Sequence, residues 1–269
     1  MAKISLRMFV LGIIFSLALW AVVAHLLAMP VIPPPEQVLL RLVQKFTDVI
    51  AVHAGYSLMR IVLGLAAAVA VGYPVGVLMG YLPRVNRLLA PLLYLTYPVP
   101  KIALLPVVML LFGVGETSKL LLVFLIIVFQ VVVAVRDAVA VIPAETYAPL
   151  RVLGASFAQI VRHIIVPASL PKFITAVRVA MATAISVLFF TETFGTQYGI
   201  GYYIMDAWLR VNYLDMYAGI VVLSTMGLLL FALLDWAERR LCEWNRAEEN
   251  GAPREQPLFY AIIASAQIR

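Results

Sequence analysis

Apolar runs of membrane-crossing length decide what this chain can fold into. Phe9 to Met29 is a stretch of 21 residues without a Lys, Arg, Asp or Glu, and a hydrocarbon core about 30 Å thick takes roughly 20 apolar residues to cross as a helix. Comparable runs recur along the chain. Only 13% of its 269 residues are charged and 64% are hydrophobic, whereas about 25% are charged in an average soluble domain. An ordinary cytosolic enzyme, a disordered chain and a secreted disulfide scaffold are thereby excluded. The sequence is that of an all-α integral membrane protein.

A cleaved signal peptide has a shorter apolar region, about 7–15 residues. The first run exceeds that and ends at Met29-Pro30, so a retained helix is expected. The proline-rich stretch Val31 to Val38 then predicts extended chain, followed up to Tyr56 by a loop with a short surface helix. Further spans are predicted at Leu58 to Gly80, Lys119 to Val135, Phe173 to Thr193 and Met216 to Asp235. One more lies between Leu88 and Phe112, where Pro98, Pro100 and Pro106 interrupt the pattern. Proline removes a backbone donor and pushes its predecessor out of helical geometry. A broken span is expected there, its main part running from Ile102 to Phe112.

Six spans put both termini on one side, and Lys and Arg choose which. With the N-terminus inside, the inner segments hold 13 Lys and Arg, including Arg84, Arg87, Arg136, Arg151 and Arg162, and the outer segments hold four, Arg41, Lys45, Lys119 and Arg210. Arg60, Lys101 and Arg178 fall within spans or at their edges. Both termini are therefore expected in the cytoplasm. The net charge of +6 reads as this inner-face excess, with no nucleic acid implied. Cys242 is alone, so there is no internal disulfide, and His25, His53 and His163 are too scattered to suggest a metal site.

Two segments are patterned beyond hydropathy. Gly64, Ala68, Gly72, Gly76 and Gly80 place a small residue at every fourth position of the second span, a stripe that lets another helix backbone approach closely. Pro74 predicts a kink in the same helix. The stretch from Asp137 to Lys172 is too long for a simple connector. Pro143 suits the first turn of a short helix, and Gly154 can end it in the left-handed conformation. Ser156 with Gln159 three residues on fits a capping box that starts a second helix. Phe157, Ile160 and Val161 form its apolar face, and Pro167 and Pro171 are expected to stop it before the next span. Such a helix could lie in the lipid interface or dock into a groove on a partner.

The run of Gly154, nine residues, Ile164, one residue, Val166 and Pro167 resembles the EAA loop of permease subunits from ATP-binding cassette (ABC) importers. The segments Pro98 to Lys119 and Thr191 to Ile204 are similar to the nitrate, sulfonate and taurine branch of that family. The likeness extends from about Ile32 to Arg240. Ala148, Pro149 and Leu150 occupy the EAA positions, so the family's glutamate is missing, with Glu145 three residues early. Val166 stands where the family has leucine.

This resemblance implies a type I ABC importer permease fold: an N-terminal helix and external loop over residues 1–57, a core over 58–241 with the loop at 137–172, and a tail over 242–269. It implies a second permease subunit, expected to be a second copy, surrounding lipid, two cytoplasmic ATPase subunits and an external substrate-binding protein in a bacterial or archaeal inner membrane. The chain itself needs no cofactor, since ATP binds the ATPase; the glycine-rich Gly113 to Lys119 lacks the spacing of a phosphate loop. The coupling segment would comprise Gly154, Ala155, Ser156, Phe157, Gln159, Ile160, Arg162, His163, Ile164 and Pro167, with Phe157 and Ile160 as apolar anchors. Ionisable groups in spans are costly and become pathway candidates: here Lys101, Arg178 and Glu192. The solute expected is small and anionic, of the nitrate, sulfonate or taurine class. Related permeases also move heterocyclic vitamin precursors. A gradient-driven transporter would show internal repeats and mid-span acids, and an enzyme a nucleophile with its base; neither pattern is present.

Overall fold

The computed structural model describes residues 6–96, 98–242 and 244, and every regular element among them is helical. In chain order these are α1 (Leu6–Leu27), α2 (Pro35–Lys45), α3 (Ala51–Tyr81), α4 (Pro83–Thr96), α5 (Leu105–Phe112), α6 (Glu116–Ala140), α7 (Ala144–Val152), α8 (Phe157–Ile160), α9 (Val166–Glu192), α10 (Ile200–Leu209) and α11 (Tyr213–Leu241). Five stretches are long and apolar enough to cross a membrane, and a sixth forms if α4 and the Lys101–Phe112 segment, bent by 82°, count as one broken span. The prolines at 98, 100 and 106 account for that break. The predicted tail at 242–269 lies outside the described residues apart from Cys242 and Trp244.

The small-residue stripe sets the architecture. A Cβ built on Gly64 would lie 2.5 Å from Val123 Cγ1, one on Gly76 2.7 Å from Val135 Cβ, and one on Gly80 2.6 Å from Val139 Cβ. Gly72 faces Val131 in the same way. The offset between partners is 59 residues at every step, so α3 and α6 run parallel, backbone against backbone. Valines of α6 fill the space that glycines of α3 leave open. Pro74 sits inside α3 without ending it.

Two parallel helices in close contact require the chain between them to return. Arg60 meets Glu116 near the start of both helices, and Tyr81 ends α3 some 21 residues later, about 30 Å along the axis. Residues 82–115 must cover that distance back, which makes the bent pair a true crossing. Helix α9 runs against α3: Glu192 meets Ser57 and Arg60 at one end, and Ser169 meets Tyr73 toward the other. Helix α11 runs against α9. Its first turn holds Asp215, paired at 2.8 and 2.7 Å with Arg41 and Lys45 of α2, while Asp235 and Glu238 pair with Arg178 of α9. Helix α1 is largely unburied and joins the rest through Trp20, which stacks on Tyr217 and donates to the Pro33 carbonyl. Two ends result, the Arg60 end and the end carrying α7 and α8.

Two expectations change. The surface helix predicted before Tyr56 is α2, and it flows through one wide turn, Phe46–Ile50, into α3. Pro167 and Pro171 do not stop the loop helix: α8 continues through another wide turn, Val161–Ile165, into α9 as one 36-residue stretch. In that turn the Val166 N–H reaches the Val161 carbonyl, one residue further back than in an α-helix. The extra residue places Pro167 in a first turn, where its missing N–H costs little.

The seam gives a direct prediction. Gly76→Ala would press a methyl against Val135 and the Val132 carbonyl, 2.9 Å away, whereas a Cβ at Gly55 meets nothing within 4 Å. In detergent, Gly76→Ala is expected to lose about 1–3 kcal/mol of stability to overpacking, and Gly55→Ala to be neutral or better. Thermal unfolding followed by loss of the monodisperse peak reads both.

Candidate functional site

The loop between α6 and α9 is built by local rules. Helix α7 closes with Gly154 at φ +74°, the Gly154 N–H on the Arg151 carbonyl at 3.0 Å and the Ala155 N–H on the Leu150 carbonyl at 2.9 Å. That is the paired bonding of a Schellman turn, and glycine takes its left-handed position without steric cost. Ser156 then starts α8 through the predicted capping box: its Oγ accepts from the Gln159 N–H, and the Gln159 side chain accepts from the Ser156 N–H at 2.7 Å.

The loop is fastened to the end of α3 by aromatic contacts. Tyr81 packs edge-on to Tyr147 at 5.5 Å and against Phe157 at 5.4 Å. The Arg151 guanidinium lies over both tyrosine rings and donates to the Tyr81 hydroxyl at 3.0 Å. Burial pushes the Tyr147 phenol above its usual pKa and the nearby Tyr81 adds to this, with Arg151 acting the other way. The ring therefore stays neutral in its apolar seat.

Exposure separates the predicted coupling residues. Ile160, expected as an outward anchor, is only 4% exposed and joins the main core with Ile164. It faces inward because α8 is the first turn of the α9 stretch and shares its buried face. Phe157 remains 44% exposed, and Gly154, Ser156, Gln159, Arg162 and His163 are exposed with it, while Ala155 and Pro167 are half-buried. The most exposed apolar side chains of the loop are Val152 and Leu153, at 87% and 80%. Sequence reasoning missed these, because they end α7 outside the helix that carried the capping signal.

Lys101, Arg178 and Glu192 are not brought together. Arg178 is clamped between Asp235 and Glu238 of α11 at 2.5 and 2.6 Å, a tie between helices. Lys101 donates to the Thr96 carbonyl at 2.7 Å and sits over the Phe129 ring, 5.3 Å from its centre. Glu192 is 1% exposed and belongs to a buried network at the far end of the bundle. Arg60, fully buried, donates to Glu192 at 2.6 Å and to Glu116 at 2.5 and 2.7 Å, and also to the Tyr198 carbonyl. Ser57 donates to Glu192 and accepts the Ile200 N–H at 2.8 Å, and the Gly201 N–H completes the carboxylate shell. His53 accepts from the Gly199 N–H at 3.1 Å. The network ties α3, α6, α9 and the turn before α10 at one point.

Among the described residues no cluster of His, Cys, Asp or Glu could hold a metal ion. The network's chemistry is structural: a fully paired cation whose removal strands two carboxylates. Breaking a buried pair costs about 3–5 kcal/mol, so Arg60→Leu should abolish recovery of folded protein. Glu192→Gln should cost less, and Glu116→Gln least, since the Glu116 side chain is 45% exposed. Heat-challenged yield by size exclusion gives the order; Glu116→Gln as the worst of the three would contradict it.

Comparison with known proteins agrees with this architecture. Residues 72–242 match the family described as binding-protein-dependent transport system inner membrane component. The taurine transport system permease protein TauC of Escherichia coli (strain K12) is 36% identical over 233 residues, which are 84% of this chain and 85% of that one. The putative aliphatic sulfonates transport permease protein SsuC of Bacillus subtilis (strain 168) is 29% identical, covering 87% and 86%. The formylaminopyrimidine transport permease protein ThiX of Halalkalibacterium halodurans is 28% identical, covering 86% and 93%. In fold, the chain is similar to an inward-facing structure of the MetNI methionine ABC transporter, with a TM-score of 0.59 at 20% identity over 71% of this chain and 93% of that one. On the match over residues 72–242 and the 36% identity to TauC, the chain belongs to the family of binding-protein-dependent transport system inner membrane components.

Proposed function

We propose that the chain is the membrane-spanning permease of an ATP-driven importer for a small organic solute bearing a sulfonate group, of the taurine and sulfonate class. Support for the solute comes from the transport roles of TauC and SsuC. The role of ThiX keeps a heterocyclic precursor as the second reading. In this reading residues 58–241 form the transporting core, and residues 1–57 add a peripheral helix and an outer loop. The α7–α8 end faces the cytoplasm with both termini, as the Lys and Arg distribution favours. The Arg60 end faces the binding protein.

The observation that carries the reading is the exposed apolar platform at the loop. Val152, Leu153 and Phe157 project from a turn whose backbone is closed by hydrogen bonds and whose rings are seated on α3. An ATPase cleft closing on that platform would move Tyr81 and α3 directly. It would also move α9, since α8 runs into α9 without a break. ATP binding and hydrolysis in the partner then bias two packings of the bundle. A second copy of the chain, with lipid around the pair, would cover the bare apolar faces of α4 and α5, where Leu88, Leu92, Leu110 and Leu111 are each more than half exposed.

Mutation of the platform tests this. Leu153→Asp and Phe157→Asp should each lower ATP-dependent uptake by about tenfold or more, because a carboxylate in an apolar cleft goes unpaired. Membrane level should stay unchanged. Undiminished uptake by both variants would refute the docking role.

A further inference from the structure

A groove of about 790 Å³ opens between α4 and α6, lined by Asn86, Arg87, Tyr94, Pro98, Val133 and Arg136 among others. No acidic side chain lines it. Arg87 makes no ion pair among the described residues. Arg136 is held by its neighbour Asp137, which engages Nε and Nη2 at 2.8 and 2.7 Å and leaves Nη1 without a protein partner among the described residues. Asn86 also lines the groove, but its buried, unpartnered atom among the described residues is the amide oxygen, an acceptor, so the oxyanion would be held by the arginines alone.

A further cation lies outside the groove's lining, against the same face of α6. Phe129, Val133 and Arg136 are spaced to lie on one face of α6, and Lys101 sits over the Phe129 ring. Positive groups therefore stand at both ends of a wall about 10 Å long, one on the break between α4 and α5 and the others toward the loop end. The guanidinium fork matches an oxyanion in shape as well as in charge. Arg87, without an ion pair among the described residues, and the free Nη1 edge of the Asp137-held Arg136 make an apolar wall that draws anions over cations.

From this we infer that the α4–α6 groove is an oxyanion site on the transport path, in which Arg87 and Arg136 take the sulfonate group of an alkyl sulfonate. The inference rests on the importer reading for the direction of transit, and it favours the sulfonate class over the uncharged heterocycle. Tyr94, 82% exposed on the groove wall, serves as the reporter position.

The test uses the full chain with Cys242→Ser and Tyr94→Cys, in vesicles of phosphatidylcholine. Labelling rates are measured with sulfonatoethyl methanethiosulfonate, itself an alkyl sulfonate, and with its trimethylammonium counterpart, each relative to its rate with free cysteine. The expected preference for the anionic reagent is about tenfold. It should fall at least about fivefold in the Arg87→Gln, Arg136→Gln double variant, survive in the Arg87→Lys, Arg136→Lys variant, and be slowed by added ethanesulfonate. Equal rates for the two reagents, or no labelling by either, would overturn the inference. So would a preference untouched by ethanesulfonate but removed by adding phosphatidylglycerol, which would make the groove a lipid-headgroup site. No ATPase or binding protein is present in this assay, so its failure is distinct from failure of the importer reading, which the platform variants test.

Discussion

The contact on which the rest of the molecule depends is the parallel seam between α3 and α6. Glycines on one helix and valines on the other bring two backbones together over some 17 residues, from Gly64 to Gly80. Lipid supplies no hydrophobic drive for helix association, so close packing of this kind must provide it. Parallel direction has a topological consequence as well. The chain between the two helices is forced back across the bilayer through a segment rich in proline. That return produces the broken span, and with it the open wall of the α4–α6 groove.

The buried arginine network locks the same seam at its other end. Arg60 occupies the next position of the stripe, four residues before Gly64, where a long cation replaces a small residue. Burial of an ion pair brings little net stability, but a pair missing one partner is strongly unfavourable. The arrangement therefore works as a specificity device. It admits only the packing in which α6, α9 and the turn before α10 all present their acceptors to one guanidinium. The loop end has no such lock. It is held by rings and a cation–π contact, interactions that tolerate small displacements. A firmly tied Arg60 end and a more compliant loop end suit the proposed role, in which the subunit is driven from the loop side.

Much of this was legible in the sequence, for identifiable reasons. The spans follow from hydropathy, and the capping box and Gly154 turn from short-range chemistry that distant packing cannot override. The stripe in α3 revealed a close approach but not its partner, since a 59-residue offset is a property of the fold. Arg60 was the clearest loss. Its place on the stripe is visible in the sequence, but a charge near the end of an apolar run carries no sign of its acceptors, which come from helices 56 and 132 residues away. Ile160 looked like an outward anchor because the helix was expected to stop at Pro167. Once α8 runs into α9, the same residue faces the core. Val152 and Leu153 could have been found from the Schellman turn, which leaves the last residues of a short helix outside any neighbour's cover.

The central claim is that the α3–α6 seam places the α7–α8 platform and the α10–α11 turn on opposite faces of the membrane. Single reporters Leu153→Cys and Val211→Cys in a Cys242→Ser background test it most directly, because both native side chains are well exposed. A membrane-impermeant thiol reagent applied to intact cells should label Val211→Cys alone, and applied to inverted vesicles Leu153→Cys alone. Labelling of both reporters from the same side would contradict the account.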